Sequence, residues 1–150
     1  MISFQQEKLD DIIPNVKELL LDHYQELTLN KARVKLKPVW TRYANMEKHN
    51  RFYAVTARDS GSIVGYSGFI VQPHLHYGDI LVAQNDVLFL KKEYRLGTTG
   101  IRLLKFSEQC MKDIGVNKIT WHVKYSNDFR PILHRMGYAD EDVIVGKFLT

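Results

Sequence analysis

The stretch from Asp86 to Gly115 restricts this chain more than any other. Asp86-Val87-Leu88-Phe89-Leu90 has the branched and aromatic composition of a strand end. A polar turn follows from Lys91 to Thr99, and then a helix from about Gly100 to Ile114. Ile101, Leu103, Leu104, Cys110, Met111 and Ile114 give that helix a broad apolar stripe. Gly115 stands where a helix ends on a left-handed residue. A helix entered this way presents amide groups that have no intrahelical partner, and its dipole adds partial positive charge. Together they form a place for a phosphate. Gly97 and Gly100 let the backbone come close, and Arg95 adds a fixed positive charge. No Gly-Lys-Ser/Thr follows, so this is not a Walker A loop, and the Gly-x-Gly-x-x-Gly of dinucleotide folds is missing. An ordinary tight turn from strand to helix accounts for the same residues and stays open.

The rest of the chain supplies the partners for that unit. Ile2 to Gln6 is a short first strand. Val16, Leu19, Leu20, His23, Tyr24 and Leu27 lie on one helical face, with Pro14 near the helix start. A weaker helix spans about Val39 to Glu47. Phe52 to Ala57 and Ile63 to Val71 are strands joined by the turn residues Arg58-Asp59-Ser60-Gly61-Ser62. Lys118 to Val123 is a further strand, Asp128 to Met136 a short helix ending at Gly137, and Val143 to Leu149 a closing strand. The order β-α-α-β-β-β-α-β-α-β implies an α+β fold, an α/β/α sandwich around a central sheet. The 150 residues suit one domain, residues 1–150, with no repeat or linker.

Composition narrows the function. A net charge of +4 is spread along the chain, and its one cluster, Lys31 to Lys37, is short and alternating. No nucleic-acid motif or basic-aromatic platform accompanies it, which argues against a nucleic-acid partner. The single cysteine, Cys110, excludes an internal disulfide and any cysteine-built metal site, and its helical setting fits a small core residue. The first residues do not form a signal peptide, and no apolar run is long enough to span a bilayer, so no membrane contact and a cytoplasmic location are expected.

Leu88-Phe89-Leu90, Tyr94-Arg95-x-x-Thr98-x-Gly100, the helix closing at Ile114-Gly115-Val116 and the later Met136-Gly137-Tyr138 carry a resemblance. The segment resembles the acyl-CoA loop Arg/Gln-x-x-Gly-x-Gly/Ala of the GNAT superfamily of N-acyltransferases, with Thr98 in place of the first glycine. Asp59 to Tyr66 is similar to the family's hairpin into its third strand, and the agreement in element order covers nearly the whole chain. Pro73-His74-Leu75-His76-Tyr77 and Asn85 to Leu90 resemble GNAT-like proteins of tailed phages, which places such a protein in a host cytoplasm.

The resemblance implies a mixed, mostly antiparallel sheet and transfer of an acetyl group from acetyl-CoA to a primary amine by direct attack. Acetyl-CoA is then a co-substrate, lying in a wedge between the strand ending at Leu90 and the strand beginning near Lys118. It implies contacts from Leu88, Phe89 and Leu90 to pantetheine, and from Arg95, Leu96, Gly97, Thr98, Thr99, Gly100 and Ile101 to the pyrophosphate, with Asn127 also at the cofactor. Asp86, the only acid on the strand before the loop, is the candidate to deprotonate the amine. The family's tyrosine acid is missing: counting through the last helix reaches Leu133 or His134. His134 is therefore the candidate to protonate the thiolate, with Tyr125 second. His74 and His76 are candidates for the acceptor side, and no metal is expected. The acceptor itself, whether small molecule, protein or modified nucleotide, is not named by these residues, and a homodimer is open to such a domain. Two alternatives remain: a GNAT-like binding or structural protein without catalysis, such as a phage accessory protein, and a basic nucleic-acid binder using Trp40 and Tyr43.

Overall fold

The computed structural model describes residues 1–150. Its sheet has five strands in the order β1 (Ile2–Glu7), β2 (Phe52–Asp59), β3 (Ser62–Pro73), β4 (Leu81–Leu90) and β5 (Lys118–Thr120). The first four pair antiparallel and only β4–β5 is parallel. This is the mixed, mostly antiparallel sheet of the expected α+β class. Between β2 and β3 the turn is a tight hairpin, with Ser60 and Gly61 both at positive φ as its mirror-image geometry requires.

Alternation along the strands divides the core between two helical layers. On one face Phe52, Ala54, Ile63, Tyr66 and Phe89 pack with α1 (Leu9–Ile12), α2 (Lys17–Leu27) and α3 (Trp40–Lys48). On the other face lies α4 (Thr99–Asp113), whose Leu103 meets Val55, Ala57, Val64 and Leu90 and whose Met111 meets Phe69, Val71 and Ala83. The stripe read from the sequence therefore faces the sheet. Cys110 lies at its margin, where burial pushes the thiol pKa up, as expected for a packed residue rather than a nucleophile.

Two glycines on β3 set how closely β4 approaches. A Cβ at Gly65 would stand 2.7 Å from Leu90 Cδ1 and 2.9 Å from the Phe89 carbonyl oxygen. One at Gly68 would stand 2.9 Å from both Phe52 and Val87 side chains. No side chain fits at either place, so β4 is seated against β3 where the two glycines are.

Two expected strands differ. The strand read as Lys118 to Val123 stops at Thr120, because beyond it the chain leaves β4 and Trp121 turns edge-on against Phe69 (5.2 Å, 77°). The closing strand Val143 to Leu149 does not form. No residue after Tyr138 makes a backbone–backbone hydrogen bond, and Val143, Ile144, Val145 and Leu149 are 71, 76, 90 and 88% exposed. The segment is instead tied by side chains: Asp140 to Arg130 and His134, Glu141 to Lys118, and Phe148 beneath the Arg33 guanidinium. With β5 only three residues long, the edge it offers another strand is too short to hold a ladder. The last helix is also shorter than read: α5 runs Arg130–Arg135, after a 3-10 turn at Tyr125–Asn127.

Candidate acyl-CoA cleft

The parallel pairing of β4 and β5 ends at Gln84↔Thr120. Past that point the two segments diverge, and a cleft of about 250 Å3 opens between them. Its walls include Leu88, Phe89 and Leu90 from β4, Arg95 and Gly100 from the turn and α4, and Asn127 and Phe129 from the far side. Strand β4 enters this cleft through an irregularity. Gly68 faces Val87 and Phe69 faces Asn85, so Asp86 is an extra residue with no partner on β3. The buried Asn85 side chain spans the bulge, donating from Nδ2 to the carbonyls of Gly68 (3.2 Å) and Val87 (2.9 Å).

At the other end of the cleft, Leu96, Gly97, Thr98 and Thr99 carry the chain into α4. Gly97 is at φ +83°, a conformation that favours glycine. No side chain caps α4, and the first amide with a helical acceptor is that of Arg102, to Thr98 O at 3.0 Å. The amides of Thr99, Gly100 and Ile101 are left without protein partners, an arrangement that suits a phosphate oxygen. A Cβ on Gly100 would meet only Leu90 Cδ2, at 3.8 Å, so the fold itself has room for a larger residue there. Arg95 lies beside the loop. It donates from Nε to Leu90 O (2.7 Å) and makes a bidentate pair with Glu26 of α2 at 3.0 and 2.5 Å. Arg95 holds the Glu26 carboxyl below its usual range, with Lys92 adding to the effect.

Asp86 lines the cleft at the bulge and accepts a hydrogen bond from Tyr43 Oη of α3 at 2.6 Å. Burial, and then this carboxylate, raise the Tyr43 pKa, so Tyr43 remains a donor. His122 lines the cleft next to the point where the strands part, its Nε2 3.2 Å from Gln84 Nε2. His23 of α2 lines it too, stacked on Phe89, with Nδ1 2.6 Å from Tyr66 Oη. His122 and Lys124 were missed in the sequence because they follow β5 without any motif. The signal for His23 was its place on the apolar face of α2, which reads equally as core.

Other expected residues stand elsewhere. His134 does not line the cleft; its Nε2 is 2.7 Å from the Asp140 carboxylate, in an exposed cluster with Arg130 and Asp128. Tyr125 is 77% exposed and lies under the Arg130 guanidinium. His74 and His76 sit in the β3–β4 loop, where His74 Nδ1 accepts from the amides of His76 and Tyr77, and neither lines the cleft. No group of three or more His, Cys, Asp or Glu side chains is arranged to hold a metal ion. No helix is long and apolar enough to cross a membrane.

Comparison with solved structures shows the same architecture over full-length chains. An aminoglycoside acetyltransferase from an uncultured soil metagenomic sample superposes with a TM-score of 0.75 at 13% identity, covering 100% of this chain and 99% of that one. Glucosamine-6-phosphate N-acetyltransferase from Arabidopsis thaliana gives 0.73 at 12%, covering 100% and 99%. A predicted acetyltransferase from Clostridium acetobutylicum, solved with acetyl-CoA, gives 0.70 at 17%, covering 99% and 97%. At such identities the likeness is one of fold. No curated protein matches the sequence. The profile of the acetyltransferase (GNAT) family matches residues 14–138, taking in every wall of the cleft, and the chain therefore belongs to the GNAT acetyltransferase family.

Proposed function

We propose that the protein transfers an acetyl group from acetyl-CoA to a primary amine. The observation that carries this reading is the parting of β4 from β5 beyond Gln84, with a bulge at one end of the gap and uncapped helix amides at the other. A flexible thioester arm laid in the gap can pair with the free side of β4, while its pyrophosphate meets the amides of Thr99, Gly100 and Ile101. The arrangement orients the thioester for attack and leaves little chemistry for the protein beyond proton handling.

In the reaction, the amine nitrogen bonds to the carbonyl carbon, the carbon–sulfur bond breaks, and the nitrogen loses a proton. We assign that proton to Asp86, directly or through a water, since it is the only carboxylate on the cleft wall and Tyr43 fixes its orientation. The departing sulfur takes up a proton. We assign this step to His122 in place of His134, because His122 stands where the strands part and His134 stands outside. The acetyl-CoA bound to the Clostridium relative supports the choice of co-substrate.

A second reading is binding without turnover. No tyrosine lines the cleft, and Thr98 stands where the family loop has glycine. One experiment separates the two. Acetyl-CoA should raise the melting temperature by mass action on the folded state, and thiol release against a panel of primary amines should then reveal an acceptor. A melting shift with no thiol release across the panel favours binding alone. No shift at millimolar acetyl-CoA removes both.

A further inference from the structure

His23 has no part in the reaction as assigned above, yet its setting gives it one definite chemical property. Its ring leaves α2 and stacks on Phe89 of β4, with centroids 5.0 Å apart and planes 14° from parallel. Nδ1 is 2.6 Å from Tyr66 Oη. Tyr66 is only 5% exposed and does not line the cleft, and its hydroxyl makes no other hydrogen bond. Burial pushes its pKa well above the usual value, so it keeps its proton. A buried hydroxyl donates where it can, and the one acceptor in reach is Nδ1. An imidazole that accepts at Nδ1 while neutral carries its proton on Nε2.

The ring is neutral as well. Burial first, and then the Lys124 ammonium, lower its pKa to about 4, against the opposing pull of Glu26 and with a smaller push from Arg95. A ring of that kind is a poor base for an amine and no cation for a phosphate. It offers a neutral N–H, and Nε2 has no protein acceptor. His23 lines the cleft, and with Nδ1 engaged by Tyr66, a residue outside the cleft, Nε2 is the ring nitrogen left for a ligand there. A neutral, partly desolvated donor pairs best with a neutral acceptor such as an amide or thioester carbonyl oxygen. Phe89, under the ring, belongs to the strand that a pantetheine arm would follow.

We propose that His23 Nε2–H, oriented by Tyr66, donates a hydrogen bond to a carbonyl oxygen of the acyl-pantetheine arm and so sets how deep the thioester lies along β4. The proposal rests on the acyl-CoA reading and makes His23 a positioning residue for that substrate.

The test uses 15N-labelled protein, with the ring nitrogens of His23 observed through their carbon-bound protons while CoA and then acetyl-CoA are added. The free protein should show the Nε2–H form. A shift of Nε2 with both ligands assigns the contact to a pantetheine amide, and a shift with acetyl-CoA alone assigns it to the thioester; either supports the proposal. Calorimetric binding of both ligands with the His23 nitrogens unmoved overturns it and leaves the acyl-CoA reading standing. No heat from either ligand overturns both.

Two variants separate positioning from packing. Tyr66→Phe should release the ring into a mixture of tautomers, which a packing role alone would not predict. The double variant His23→Phe/Tyr66→Phe keeps both rings and leaves no unpaired hydroxyl. It should fold and bind acetyl-CoA about tenfold more weakly, as expected for one lost hydrogen bond. Wild-type affinity in a folded double variant overturns the proposal.

Discussion

Gly100 occupies the first turn of α4, where glycine weakens the helix and the surrounding protein has room for a methyl group. In the proposed function, a ligand that needs the backbone within reach accounts for its presence. Gly100→Ala should therefore stabilise the free protein by ~0.5 kcal/mol and weaken acetyl-CoA binding, a melting temperature and an affinity moving in opposite senses. Thermal unfolding with and without acetyl-CoA measures both; parallel changes would remove the pyrophosphate from this site. Asp86 belongs to the same scale. With an amine that supports turnover, Asp86→Asn should lower kcat by ~10²–10⁴ and leave acetyl-CoA affinity nearly unchanged. Equal losses in both would make Asp86 structural. The positions of the loop before α4 and of Asp86 beside the cleft were legible, because the strand–turn–helix pattern and, through the family resemblance, the one acid on its strand stand out in one dimension. His122, Tyr43 and Glu26 were not, since each acquires its place only by folding from a distant segment.

At the scale of elements, the salt bridge from Glu26 of α2 to Arg95 joins a helix to the loop that leads into α4. A carboxylate so placed occupies guanidinium donors that a pyrophosphate would use. Glu26→Gln should tighten acetyl-CoA binding by roughly two- to fivefold, the range of a partly exposed pair, and calorimetry decides it; weaker binding would mean that Glu26 holds Arg95 in a productive pose. Helices α2, α3 and α4, strands β1 to β3 and the end of β4 were legible within a few residues, because each carries enough periodicity to show its buried face. The segment after Tyr138 misled for a physical reason. Val143-Ile144-Val145 has strand composition, but a strand needs a neighbour, and β5, the last strand before it, offers an edge only three residues long. Removing residues 143–150 should shift stability by no more than ~0.5 kcal/mol, readable as an unchanged denaturation midpoint. A loss of several kcal/mol would show that the segment pairs after all.

For the molecule as a whole, His23 couples folding to pH. Its pKa is about 4 in the folded protein against an ordinary 6.5, so between these values the unfolded chain binds the extra proton. Its contribution is therefore fully present above pH 6.5 and is lost as the pH falls toward 4. The loss is at most on the order of 3 kcal/mol. The groups acting on the ring are Tyr66 from β3, Lys124 after β5, Glu26 on its own helix and Arg95 from the loop. Denaturation midpoints across that pH window should fall more steeply for the wild type than for His23→Phe/Tyr66→Phe, and identical slopes would exclude a buried neutral His23.

The closeness of β3 to β4 at Gly65 and Gly68 bears on how tolerance to change would be distributed over this chain. Both glycines sit opposite the strand that forms the cleft wall, and neither lines the cleft. In a saturation scan scored by activity, they would look as indispensable as Asp86. Scored by abundance, the two classes would part: variants at Gly65 and Gly68 would vanish from the soluble pool, and those at Asp86 would persist. With Asp86 as the proposed base, neutral drift in such a protein would thus be confined on two adjacent strands by unrelated selections, on β3 for folding and on β4 for turnover.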